Sequence, residues 1–522
     1  MSLQKRVIWL VLFVFTTTTQ AQPVARVDLA GTEPLLVNFG FAPAGNNSPV
    51  KPIRFKAENL TGPLTVSAPP GFEISKNNIQ YTNSLLFSTA EIESNPTISV
   101  RFSPQDANKG YGGKLNFTSS GIVLQKPDLS ASSLPESMTL DIITWNLAWL
   151  GSEFNGPTDD QLQAQNVINV MDSLKADMYM LQEVADTATL GFICRTMKHG
   201  PYEFKVSLYA SNAINPSNGN WRIGQKLAFL YKKSMFSGVT ARGFTSTSAR
   251  PDNYYNWASG RYPFKMDANV TVNGITKKLS FINLHAKAEL GDAEDYFRRK
   301  GAAEILYDSL SINHSADYFI VAGDFNDDLD VTISGTSPGE ITPYYLFMSD
   351  DVRFNPVSYW NSLRGDNSYI GYPNVVDHSI VSASMAKDYV PYSCIIRKDA
   401  ANMVNNYANE LSDHYPVISR YDFRLSSSNI ISSINNVSPP LKEAIQIINR
   451  TSGNPIIRFI TPVRGGVTIS LIGIDGKQMF LEKIAPPQRG TTRVVPMESM
   501  PSGLYILNVI TPYGIMSEKI VH

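Results

Sequence analysis

Leu411-Ser412-Asp413-His414-Tyr415-Pro416-Val417 sets a carboxylate and an imidazole side by side at the expected start of a strand. Asp413 offers oxygen to a hard cation, and His414, with an ordinary pKa near ~6.5, can exchange a proton with water at neutral pH. Turns ahead of strands also use Asp and exposed His for local hydrogen bonds, so the pair acquires chemistry only from partners elsewhere in the chain.

Those partners recur at the ends of short apolar runs. Asn146 follows Leu140 to Trp145, Glu183 follows Met178 to Gln182, and His285 follows Leu279 to Leu284. Asp324 and Asn326 follow Tyr318 to Val321, and Asp377 precedes Ser379 to Ser382. Each run, like Leu227 to Tyr231, has the length of a buried strand. Between them lie helical stretches. Thr158-Asp159-Asp160-Gln161 has capping-box spacing before Leu162, Val167, Ile168, Met171 and Leu174, and a second helix is expected over 293–310, carrying Arg298, Arg299 and Lys300. Strands alternating with helices, with polar residues where strands end, predict an α/β layered domain over 139–425. Its oxygen-rich candidate set suits Mg²⁺, Mn²⁺ or Ca²⁺, and no Cys/His spacing favours zinc. In Gly323-Asp324-Phe325-Asn326 the strand alternation puts both polar side chains on one face.

The flanks read differently. Residues 22–126 and 454–522 are short alternating segments broken by turn residues, the pattern of β domains, and 127–138 and 426–453 read as linkers rich in Ser with Pro or Asn. Residues 1–21 combine a basic start, an apolar run and Thr19-Gln20-Ala21, the form of an export signal, and no later run is long enough for a stable membrane span. Export would carry Cys194 and Cys394 into an oxidising compartment, where a bridge between them is open. The net charge of −1 conceals an acidic middle: Lys and Arg number 25 against 32 Asp and Glu over 139–425. A protein that grips nucleic acid by charge alone carries a basic footprint, so a phosphate ligand here needs local cations or a metal.

Thr144-Trp145-Asn146, Gln182-Glu183, Arg261-Tyr262-Pro263, His285, Gly323-Asp324-Phe325-Asn326, Asp377-His378 and Ser412-Asp413-His414-Tyr415-Pro416 stand in an order that resembles the endonuclease/exonuclease/phosphatase superfamily, pancreatic deoxyribonuclease included. The resemblance implies a four-layered α/β sandwich and a divalent-metal-dependent phosphodiesterase, foremost an extracellular nuclease acting on DNA and on RNA. A sphingomyelinase or inositol-phosphate phosphatase is the alternative within the fold, and an inactive surface adhesin the alternative outside enzymes. It makes Glu183 the principal metal ligand with Asn146 and Asp413, and Asp377 the partner orienting His414. His414 is then the base for the attacking water or the group that steadies the phosphorus. Asp324 and Asn326 position water and phosphate oxygens. His285 either protonates the leaving oxygen or hydrogen-bonds the phosphate, and Gln225 stands where the pancreatic-type nucleases pair a Glu with that histidine. Lys226, Arg261 and Lys287 are the cations expected near the phosphate, and Tyr254, Tyr255 and Trp257 are candidates for base stacking.

The amino-terminal segment, through Ala68 to Ser75 and Tyr111 to Phe117, resembles an immunoglobulin-like module. Asn454-Pro455, Gly473 to Lys477 and Met500 to Tyr505 resemble a C-terminal sorting domain of type IX secretion. Their implications are passage through the periplasm, an outer-membrane translocon as partner, and a secreted or cell-surface location.

Overall fold

The computed structural model describes residues 26–427 except 31–35, 93–95, 121, 289–292, 314–316, 335–340, 364 and 391–392. It also describes 445–448 and 454–521 except 460–462, 464–465, 474–477, 488–490, 498–499, 502 and 512–513. The expected export signal lies outside the described residues, as do four of the five residues of the Gly473 to Lys477 landmark.

Between Leu140 and Tyr421 the chain is mixed α/β and builds two six-stranded sheets. In chain order the elements are β1 (Leu140–Leu150), α1 (Asp160–Leu174), β2 (Met178–Val184), α2 (Thr187–Thr196), β3 (Tyr202–Ala210), β4 (Lys226–Lys232) and β5 (Phe236–Gly243). They continue with β6 (Phe264–Val272), β7 (Ile275–His285), α3 (Ala293–Asn313), β8 (Phe319–Asp324), β9 (Phe354–Asn355), β10 (Asp377–Ser382), β11 (Ile395–Ile396) and β12 (Val417–Tyr421). The first sheet runs β3-β4-β2-β1-β12-β11 and the second β5-β6-β7-β8-β10-β9. Parallel pairs, β1 with β2 and β7 with β8, lie inside each sheet, so their polar carboxyl ends open on one side.

The sheets share one core. Phe229 of β4 meets Phe264 of β6 at 5.2 Å between ring centroids, and Leu181, Ile143, Phe281 and Ile320 are buried around them. Each such side chain contributes about 1.5–3 kcal/mol by leaving water. α1 packs Val167, Ile168, Met171 and Leu174 into this core, and α3 buries Ala302, Ala303, Leu306 and Leu310 against Ile282, Leu284 and Val321 of the second sheet. The N-cap of α1 is Asp159, whose side chain accepts from the Leu162 N–H at 2.9 Å, one residue later than the Thr158 capping box predicts.

Residues 26–132 form a four-stranded and a five-stranded sheet around a separate core, and 445–521 form a three-stranded and a four-stranded sheet around another. Both expected linkers need correction. Strand Ile122–Ser132 continues through the first, pairing with Leu36–Phe41, and Ser133 and Leu134 are buried beyond it. Strand Ile445–Ile448 occupies part of the second and pairs with Ile456–Phe459, while 428–444 and 449–453 of that linker lie outside the described residues. Ion pairs seat the amino-terminal sheets on the α/β unit: Lys114 meets Asp366 at 3.7 Å and Asp128 meets Lys398 at 4.0 Å, with Lys398 and Asp366 themselves paired at 2.7 Å. Cys194 and Cys394 are free and buried. Cys194 lies in α2 beside β3 and Cys394 beside β11, at opposite edges of the first sheet, so no bridge joins them.

Candidate functional site

The site starts at a bulge. The register of β1 on β2 breaks between Asn146 and Leu150, and Ala148 and Trp149 take left-handed φ values of 46° and 60°. Strand interruptions of this kind re-aim side chains beside functional sites. Here the bulge turns the Trp149 N–H onto Glu183 Oε2 at 3.0 Å, and Glu183 itself sits at φ 58°. The Asn146 amide nitrogen donates to Glu183 Oε1 at 3.2 Å and to Asp324 Oδ2 at 3.0 Å, tying together carboxylates from the two sheets.

The second sheet supplies the opposite wall through register alone. His285 ends β7 directly beside Asp324, and Asp324 ends β8 directly beside Asp377. The turn past Asp324 is closed by Asn326, at φ 51°, whose N–H donates to Asp324 Oδ1 at 2.9 Å. From the first sheet, His414 reaches across and donates Nδ1–H to Asp377 Oδ2 at 2.8 Å. Its backbone is pinned: the Trp145 Nε1–H and the Tyr407 hydroxyl both donate to the His414 carbonyl, and the Ser412 hydroxyl donates to Asn146 O at 2.6 Å. The free edge of the imidazole, Nε2, then lies 3.8 Å from Asp324 Oδ2 and 3.9 Å from Asp413 Oδ1.

Charge is concentrated and dry. Burial raises the Glu183 carboxyl above its ordinary range and pushes Asp324 up to about 7, with Asp377 adding repulsion and His414 and Asn146 opposing it. Burial works against a charged His414, yet Asp377 and Asp324 together raise it to about 10. His285 has the reverse fate. Burial, then Arg261 and His414, drive it well below 6.5, so its ring is neutral at pH 7. Its Nε2 is 3.4 Å from Asp324 Oδ2, while Nδ1 has no hydrogen-bond partner among the described residues.

The expected residues separate into those that converge and those that do not. Glu183, Asn146, Asp324, Asn326, His285, Asp377 and His414 come together, with Asp413 at the rim. Asn146 turns its amide nitrogen, not its oxygen, to the carboxylates, because Oδ1 accepts the Ala148 N–H at 2.9 Å. Gln225 does not reach His285. It accepts from Arg261 Nη1, and Arg261 further donates to the carbonyls of His285 at 2.9 Å and Ala286 at 2.7 Å. Lys226 departs altogether: fully buried, it spends its ammonium on the carbonyls of Ala185, Trp221 and Gly224, and burial lowers it to about 8. Lys287 Nζ pairs with Asp295 at 3.1 Å. His378 is core, bonded at both nitrogens to Ser358 Oγ and Val375 O, and Trp257 is buried rather than available for stacking. Arg299, one of the three basic residues on the second helix, is buried against Asp327 at 3.0 Å.

Two contributors carry no sequence signal of their own. Tyr369 packs its ring on His414 at 4.8 Å, joined by a bridge that only the folded chain creates. Asn283 accepts from Gln182 Nε2 at 2.7 Å and donates to Leu181 O and Ala228 O, a buried polar brace between the sheets beneath the site.

The donor set suits a hard divalent ion. Two carboxylates, buried Asp324 and part-buried Glu183, are held side by side by one amide, their ordinary acidity is suppressed, and no thiol is near them. Among the described residues, ligand atoms of Asp324, Asp377 and His414 lie within 4.8 Å of one another, but Asp377 is committed to the imidazole, which leaves Glu183 and Asp324 as the oxygens offered to an ion.

Among solved structures, the chain is similar to an endonuclease/exonuclease/phosphatase from Beutenbergia cavernae, at 14% identity over 73% of this chain and 100% of that one, TM-score 0.39. It is also similar to an AP endonuclease from Archaeoglobus fulgidus, at 15% over 54% and 99%, TM-score 0.36. A mannosyl-6-phosphatase from Bacteroides thetaiotaomicron is similar at 13% over 54% and 98%, TM-score 0.34. No curated protein matches. The profile of the Endonuclease/Exonuclease/phosphatase family matches residues 143–414, from the first strand of the site to His414 itself. The chain therefore belongs to the Endonuclease/Exonuclease/phosphatase family, whose members are nucleases, phosphodiesterases or phosphatases that use divalent metals.

Proposed function

We propose that the chain is a metal-dependent phosphodiesterase, an extracellular nuclease that hydrolyses DNA and accepts RNA. The observation that carries this reading is the His414–Asp377 pair at 2.8 Å, aimed from one sheet at the Glu183–Asp324 carboxylates that Asn146 ties together across both. Glu183 and Asp324 would hold the divalent ion, with Asp413 at the rim. Bound there, the ion supplies positive charge to the phosphate oxygens. His414, charged beside Asp377, would donate from Nε2 to a phosphate oxygen, and Asp324 Oδ2, 3.8 Å from that nitrogen, would accept the proton of the attacking water. Asp377 keeps the imidazole oriented and favours its charged form. Asn326 shapes the turn behind Asp324, and neutral His285 hydrogen-bonds the phosphate rather than protonating the leaving oxygen.

Residues 1–21, read as an export signal, and residues 454–522 support export through a type IX translocon to the cell surface or medium, on the motifs quoted above. The decisive measurement incubates the purified full chain with plasmid DNA, RNA, sphingomyelin and inositol phosphates, with Mg²⁺ or with EDTA. Cleavage of DNA with Mg²⁺ and its loss in EDTA is the expected result. Turnover of lipid or inositol phosphate alone replaces the nuclease reading, and no turnover at all favours a binding protein that keeps the fold.

A further inference from the structure

A cavity of about 240 Å³ opens beside the site, lined by Asn212, Gln225, Ser259, Arg261, Lys287 and Arg298 among others. It carries three cations and, among its described lining residues, no carboxylate, inside a region where acids outnumber bases 32 to 25. Arg261 is 3% exposed and its guanidinium is fixed by the carbonyls of His285 and Ala286 and by Gln225, so its charge is preset between the cavity and the catalytic wall. Arg298 comes from α3, its guanidinium lying 3.9 Å from the Tyr255 ring centroid and donating through Nε and Nη2 to Tyr255 O. Lys287 stands two residues past His285. Asp295 offsets part of this charge, at 3.1 Å from Lys287 and 4.0 Å from Arg298, and Glu183 and Asp324 act on Arg261 from the catalytic wall, while the cavity's own lining is positive. The facing turn is built at a conformational cost: Ala258, Ser259 and Gly260 take φ values of 46°, 61° and 108°, and the Asn212 N–H donates to Ser259 O at 2.8 Å.

We propose that this cavity is a subsite for a second phosphate of the same substrate molecule, next to the phosphodiester being cut. The inference rests on the phosphodiesterase reading and narrows it to substrates with phosphates in series. Arg261 and Arg298 have turned their forks to protein carbonyls and Gln225, so they draw a phosphate by fixed positive charge rather than by a paired grip, and Lys287 adds a point charge. Arg261 links the two positions, because the same side chain that lines the cavity holds the His285 backbone.

Two sources present phosphates in series, a nucleic-acid strand and an inositol polyphosphate, and direct binding separates them without requiring cleavage. Fluorescein-labelled heptathymidylate is titrated with the full chain in EDTA and read by anisotropy, and inositol hexakisphosphate is titrated by calorimetry. Arg298→Gln and Lys287→Gln are each expected to weaken heptathymidylate binding about tenfold and to lower its salt slope by about 0.7. Lys233→Gln, an exposed charge past the far end of β4, is the control and is expected to stay within twofold. Thermal melts establish that each variant is folded, and the two substitutions report independently. If only inositol hexakisphosphate binding depends on Arg298 and Lys287, the subsite stands and its source is the inositol phosphate. If neither ligand binds the wild type, or neither substitution weakens binding of either ligand, the subsite is overturned. A wild-type chain that binds with this dependence but cuts no diester with Mg²⁺ keeps the subsite and loses the proposed activity.

Discussion

Glu183 and Asp324 sit within reach of a single amide donor, and each is raised above the ordinary carboxylate range chiefly by burial. A divalent cation relieves that pairing, so Mg²⁺ should raise the melting temperature of the wild type and leave that of Glu183→Ala nearly unchanged. An equal upward shift in both would place the ion elsewhere. Glu183→Ala and His414→Ala are each expected to lower kcat on DNA by about a thousandfold; the metal-free melt of Glu183→Ala moves little, because burial already disfavours that charge, and that of His414→Ala falls, because buried Asp377 loses its imidazole. Near-normal turnover in either variant would remove the role given to it. The convergent residues were legible because each stands in a short motif at a strand end. The partners of Lys226, Gln225 and the Asn146 oxygen have a different origin. Sequence shows which residue is present, but the partner of its polar atoms depends on backbone groups such as Ala185 O and the Ala148 N–H that only the fold brings near.

At the level of elements, the site depends on how closely β7 and β8 approach. Gly323 has φ 157°, and a Cβ there would stand 2.0 Å from the Leu284 carbonyl oxygen in the neighbouring strand. Backbone cannot yield as a flexible side chain would, so Gly323→Ala is expected to cost about 3 kcal/mol or more and to lower activity with stability, because the displaced strand carries Asp324. Chemical denaturation measures it, and a loss under about 1 kcal/mol would show that the strands separate easily. Six of the twelve strands of the two sheets were visible as apolar runs, and most of these extend past the run by a few residues, because the polar ends that hold the chemistry also continue the hydrogen-bond ladder. The two linkers misled for a related reason. Ser and Pro composition marks turns, but Ile122–Ser132 gains a strand partner on each side, which composition does not report.

On the scale of the whole molecule, the amino-terminal sheets are fastened to the α/β unit by buried charges, and the pH response of stability is set by groups sealed inside. His378 is the clearest. Burial lowers it to about 3, its nitrogens are matched to Ser358 and Val375, and its ring packs on Phe325 at 5.4 Å. The unfolded chain protonates this histidine near ~6.5 and the folded chain does not until about 3, so between those values the unfolded state binds more protons. Stability therefore falls as pH falls through that window. Asp177 acts in the opposite sense: burial, then Asp141, raise it to about 6, so its contribution weakens stability as pH rises from the ordinary carboxylate range toward 6. Because the two windows overlap, the wild-type slope alone mixes them, and the difference between variants isolates His378. His378→Gln keeps a donor available for Val375 O and removes the titrating ring. Its melting temperature should be lower than wild type at pH 7 and decline less steeply toward pH 4, so that the two curves draw together on acidification. Parallel curves across that range would show that His378 is accessible to protons in the folded state.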